Sequence, residues 1–171
     1  MKKLLSLLLM MVLAIPMFAG KVKVTSGGTS WLKGKETVNI EFDFSNTTWE
    51  KDENFKTWCG EDYEKRVDAI ENGFIKSFND NSKGAKLSNA ENSQYKMIVV
   101  VKDLERHQAF TGMWGQGKFS TTCLIKVVNT TTNDIVCEIS VDGYGSGKDF
   151  DYTDGIRKCY QALGKEIAKL K

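Results

Sequence analysis

The sequence predicts an α+β fold, a two-layer sandwich in which a mixed sheet of four to five strands carries two helices on one face, in the order β-α-β-β-β-α. Three observations lead there. Apolar residues alternate with polar ones in several short segments, as in half-buried strands. In two longer segments they recur every three or four residues, as on one face of a helix. Two one-sided helices need an apolar sheet face to cover.

Taken in order, Val38, Ile40, Phe42 and Phe44 alternate with polar neighbours and define a strand; a shorter one is expected at Lys21–Thr25. A polar, aromatic-studded connection runs from Thr47 to Gly60. Tyr63, Val67, Ile70, Phe74 and Phe78 then line one face of a helix over about Glu61–Asn79. Its first turn carries Glu61, Asp62 and Glu64, which suit the positive end of the helix dipole. Asp80–Ser93 reads as a loop. The uninterrupted run Met97–Val101 predicts a central strand covered on both faces. Two alternating strands follow, one on Phe119, Cys123, Ile125 and Val127, the other on Ile135, Cys137, Ile139 and Val141, joined by the turn Asn129–Asp134. A closing helix starts at Asp151 or Thr153, both suitable N-caps, with Ile156, Cys159, Tyr160, Leu163, Ile167 and Leu170 as its apolar stripe. The strand-helix-strand unit implies parallel pairing, and the later strands an antiparallel meander.

The chain opens Met1-Lys2-Lys3, runs apolar from Leu4 to Phe18 and reaches Ala19-Gly20. A basic start, a short apolar stretch and a small residue at the exit define a cleavable signal peptide over residues 1–19, leaving one domain over residues 20–171. The apolar stretch falls short of the roughly 20 residues a spanning helix needs, and the mature chain has no membrane span. The protein is therefore expected in the periplasm or outside the cell, cut near Ala19. The first cysteine is Cys59, so no cysteine is placed for lipid attachment and a lipoprotein is not expected. Of 24 basic residues Lys2 and Lys3 leave with the leader, so 22 face 22 acidic ones. Such balance argues against nucleic acid as a partner, because phosphate binding needs a basic excess.

The candidate chemistries are few. Gly112–Lys118 fits the first seven positions of a phosphate-binding loop, but Phe119 stands where Ser or Thr should hold the metal, and a strand follows in place of a helix. Asp149, Asp151 and Asp154 resemble the start of a calcium loop, but Asp154 and Tyr160 replace the required Gly and Glu. The single histidine, His107, follows Glu105-Arg106 without a nucleophile elbow nearby. No catalytic residue, metal site or cofactor is assigned. The four cysteines lack C-x-x-C spacing. Three outcomes stand for them: a Cys59–Cys159 disulfide, which is the pair put forward; a Cys123–Cys137 one; or buried thiols acting as small hydrophobes. Trp49, Trp58 and Trp114 fall at or near loops and form a candidate binding surface, tryptophan being enriched at hot spots.

Between Tyr95 and Lys171 the order of features is a hydrophobic strand, a Gly-containing break at Gly112–Gly117, the strand into Val127-Val128, the turn Asn129–Asp134, the strand Ile135–Val141, the Gly143/Gly145/Gly147 stretch and a closing helix. In this it resembles a group of small uncharacterised Gram-negative envelope domains, similar to the amino-terminal domain of TolB and to transport-auxiliary lipoproteins. The resemblance implies a noncatalytic envelope role and assigns no site residue. The expected function is thus that of an exported, noncatalytic domain for protein interaction or envelope assembly, with an envelope or extracellular protein as partner. A carbohydrate- or lipid-binding module using the Trp-rich loops is the alternative. A hydrolase built around His107 is a third reading.

Overall fold

The computed structural model describes residues 21–108 and 117–171. The leader, Trp114 and most of the Gly112–Gly117 break lie outside the described residues. Eight strands form one mixed sheet: β1 (Lys21–Gly27), β2 (Thr37–Asp43), β3 (Thr48–Trp49), β4 (Glu53–Asn54), β5 (Lys86–Ser88), β6 (Tyr95–Gln108), β7 (Gly117–Asn129) and β8 (Ile135–Asp149). The helices are α1 (Phe55–Cys59), α2 (Tyr63–Asn81) and α3 (Tyr152–Ile167).

This corrects the expected four-to-five-strand sheet and its element order. The additions are β3, β4 and β5, of two or three residues each, and the five-residue α1. Strands that short show no period, so hydrophobic patterning cannot reveal them. The strand path is β1-β8-β7-β6-β2-β5, with β3 joined to β4 and β6. Pairing is parallel between β2 and β6, across the α2 crossover, and antiparallel along β6-β7-β8, with β1 antiparallel on β8.

Met97, Val99 and Val101 on β6, Cys123, Ile125 and Val127 on β7, and Cys137, Ile139 and Val141 on β8 are all buried. They form one core with Ile70, Phe74 and Phe78 of α2 and Ile156, Tyr160, Leu163 and Ile167 of α3. The alternate positions Ile98, Val100 and Leu124 are only half-buried. The Met97–Val101 run is therefore covered on one face, not both.

Long strands with bulges replace the short ones read from the pattern. The β6 register shifts between Val101 and Asp103, which reverses the parity of every residue beyond. On β8 the Gly143–Gly145 stretch belongs to the strand; Gly143 sits at φ 55°, and a Cβ on Gly145 would lie 2.5 Å from the Phe119 carbonyl oxygen. The α3 cap is Asp151, whose carboxylate accepts from the Asp154 amide at 2.8 Å.

Candidate functional site

The far half of β6 carries a different cluster on each face, because the bulge turns Leu104 and Arg106 toward the helices and Asp103, Glu105 and His107 away from them.

On the helix side the two described tryptophans of the candidate surface come together. Trp49, at the end of β3, and Trp58, in α1, stack with centroids 3.7 Å apart and planes 9° from parallel. Tyr152, the first residue of α3, closes edge-on against both, at 5.8 and 5.4 Å. Phe119 packs on Tyr152 at 5.9 Å. The Arg66 guanidinium lies 4.3 Å from the Trp58 ring, and that of Arg106 lies 4.7 Å from the Tyr152 ring while donating to its hydroxyl at 2.9 Å. Trp49 is 6% exposed and Trp58 half-buried. The two rings occupy each other's faces, so neither presents a flat platform to a ligand. The sequence places these aromatics near one another only through α1, whose start is fixed by Asn54 capping the Thr57 amide at 3.2 Å.

On the other side lies a polar chain. Asp103 is 7% exposed, accepts from the Thr48 hydroxyl at 2.5 Å and from the Lys51 amide at 3.0 Å, and faces Glu105 within hydrogen-bonding reach. Burial pushes its carboxyl above the ordinary carboxylate range, and the Glu105 charge adds to that push. Burial also opposes ionisation of Glu105, but the Lys51 ammonium at 2.7 Å and the Asp103 proton outweigh it and hold Glu105 low. Within the pair Asp103 therefore holds a proton more tightly than Glu105 does. Asp103 also ties down the β3–β4 turn, in which Glu50 and Lys51 stand at φ 54° and 68°. Two consecutive non-glycine residues in the left-handed region cost about 1–3 kcal/mol each and persist where the surroundings over-determine them.

His107 Nε2 lies 2.8 Å from the Ser120 hydroxyl and 3.2 Å from a Glu105 carboxylate oxygen. In a hydrolytic triad the nucleophile and the orienting acid use opposite ring nitrogens. Here both meet the same one, so a proton donated to Glu105 from Nε2 leaves no lone pair to draw one from Ser120. Ser120 is also 3% exposed. Asp103, Lys51 and Thr48 escape sequence reasoning; the one available signal is an acid two residues beyond a long apolar run, after Lys102.

All four cysteines, Cys59 and Cys159 included, are free and buried in the structure. Cys59 sits against Arg66 and Asp62, where burial raises its thiol and Arg66 partly offsets that. Cys159 instead points its Sγ at the Tyr144 carbonyl, 3.5 Å away, and neighbours Cys123. Cys123 and Cys137 pair across the hairpin with Val141 and Val127, respectively, so they stand four positions out of register. Among the described residues no group of three or more His, Cys, Asp or Glu side chains is placed to hold a metal ion. Among them, too, no helix is long and apolar enough to cross a membrane.

The architecture defines the chain as a mixed-sheet α/β domain with paired helices. No family model and no curated protein matches it. Solved structures of similar fold include protein XCC0632 of Xanthomonas campestris, of family DUF330, 12% identical over 88% of this chain and 90% of that one, with a TM-score of 0.50. A PelC dodecamer from Paraburkholderia phytofirmans is 13% identical over 86% and 96%, with a TM-score of 0.48. A putative neuraminyllactose-binding hemagglutinin homologue from Helicobacter pylori is 10% identical over 80% and 84%, at 0.36. At 12% identity the likeness to XCC0632 concerns fold alone.

Proposed function

We propose that the protein is an exported, noncatalytic domain of the bacterial envelope that works by binding a protein partner through the sheet face turned away from α2 and α3. One observation carries this reading. Val100 and Leu124 pair directly across β6 and β7, Ile98 lies one row away opposite Lys126, and all three apolar side chains are partly exposed. Around them the same face sets Glu41, Asp43, Lys126 and Ser140, in register with the apolar rows. An apolar centre within a polar rim is the anatomy of a protein interface. The shared use of His107 Nε2 supports binding over turnover, and the mutual burial of Trp49 and Trp58 speaks against a glycan platform. The resemblance over Tyr95–Lys171 points to the same compartment.

Co-purification of the tagged protein from its native envelope tests this. The parent recovers a defined protein partner, and Val100→Glu with Leu124→Glu removes it while leaving the fold intact by circular dichroism. Unchanged recovery from that double variant contradicts the proposal. So does loss of a cellular phenotype on His107→Ala with the partner still bound, which favours a hydrolase.

A further inference from the structure

At the opposite end of α3, 16 residues and so roughly 24 Å from the aromatic cluster, a cavity of about 660 Å³ opens between the C-terminal ends of α2 and α3. Leu32 and Leu170 contribute apolar lining, and Lys33, Lys83, Lys169 and Lys171 stand around it. No side chain of its lining is acidic. In a domain whose 22 basic and 22 acidic residues cancel, four lysines around one opening are a strong local asymmetry. The two helix C-termini present about half a negative charge each and the Lys171 α-carboxylate one more, so roughly two units are neutralised and an excess of about two remains. A cleft lined by one sign of charge concentrates the field on its contents.

The walls are fixed in advance. The Ala85 amide donates to the Leu32 carbonyl at 3.1 Å, and the Ser82 amide closes α2 on Phe78 at 2.8 Å. Gly84 lies so close to this wall that a Cβ would fall 2.1 Å from the Leu32 carbonyl oxygen. Trp31, 3% exposed and stacked on Phe78 at 6.4 Å, anchors the short 3-10 turn that supplies Leu32. The volume lies within the range of small-molecule sites, which combine an apolar lining with a few placed polar groups.

We propose that this cavity binds an anionic amphiphile, an alkyl chain seated on Leu32 and Leu170 with a phosphate or carboxylate head held by the lysines. A bare anion would leave the apolar lining unused, and a neutral amphiphile would leave the lysines unused.

Calorimetric titration of the purified protein tests it with three probes below their micelle-forming concentrations: dodecyl phosphate, inorganic phosphate and dodecyl maltoside. Dodecyl phosphate is expected to bind saturably and at least tenfold more tightly than either of the others. Lys33→Glu with Lys169→Glu, both at exposed positions, lowers that affinity at least tenfold without changing the circular dichroism spectrum, and Leu170→Asp does the same through the tail. Equal binding of inorganic phosphate, equal binding of the maltoside, unchanged affinity in the lysine variant, or no saturable binding each overturns the proposal.

Discussion

Replacing Trp58 by alanine separates a structural aromatic cluster from a ligand platform. Trp58 stacks on Trp49 at 3.7 Å and carries Arg66 on its ring at 4.3 Å. An aromatic pair contributes about 0.5–1.5 kcal/mol beyond its buried area, and an exposed cation–π contact about 0.5–1 kcal/mol. Truncating a fully buried aromatic costs about 3–5 kcal/mol; Trp58 is half-buried, which places the loss near the lower end, about 3 kcal/mol. For a domain of this size each kcal/mol moves the midpoint by about 2–4 °C, so Tm falls by about 6–12 °C. Trp58→Phe keeps a ring against Trp49 and should lose about a third of that. Thermal unfolding followed by circular dichroism reads both values. A Trp58→Ala protein within about 0.5 kcal/mol of the parent refutes the packing argument.

Three other outcomes follow from single contacts. Gly164→Ala places a Cβ 2.4 Å from the Phe74 carbonyl oxygen, a backbone atom that cannot swing aside, and should cost about 2 kcal/mol in urea unfolding despite the better helix propensity of alanine; Gly73→Ala, whose nearest neighbour is 3.0 Å away, should cost far less. Asp103→Asn keeps an oxygen for Thr48 and Lys51 and offers an amide to Glu105. Because the folded carboxyl titrates above its unfolded value, its protonated form stabilises the fold at low pH and that stability is lost as pH rises through the folded value; the Asn variant therefore gains on the parent as pH rises above about 4, and a parallel pH profile contradicts the raised Asp103 carboxyl. Alkylation of unreduced, denatured protein should add four groups by mass spectrometry, whereas two would mean a disulfide.

Much of the framework is legible because it repeats: β7, β8, α2 and α3 each bury three or more residues at a fixed period, and β2 buries Val38 and Ile40 with Phe42 half-buried beyond them. The run Met97–Val101 misleads about its second face, since a strand with valines on both sides reads the same whether or not that second face is covered. The short β3 and β4 are set by Asp103, and β5 by its pairing with β2 and by Asn79, whose side chain bonds both backbone groups of Leu87; none carries a local pattern. Trp49 and Trp58 are recognisable as a pair worth attention, but aromatic composition does not distinguish rings facing solvent from rings facing each other. Spacing leaves the cysteines open: Cys59 lies beside Arg66 and Cys159 beside Tyr144 and Cys123, and only the path of the chain through the sheet decides such neighbourhoods.

The claim that the uncovered sheet face meets a protein is tested most directly by a photo-activated crosslinking residue placed at Leu124, compared with one at Lys76 on the exposed side of α2. The account predicts one defined adduct in the native envelope from position 124, absent from position 76 and lost when Val100 is changed to Glu. The same adduct from both positions, or none from position 124 under conditions where the protein is folded and exported, contradicts it.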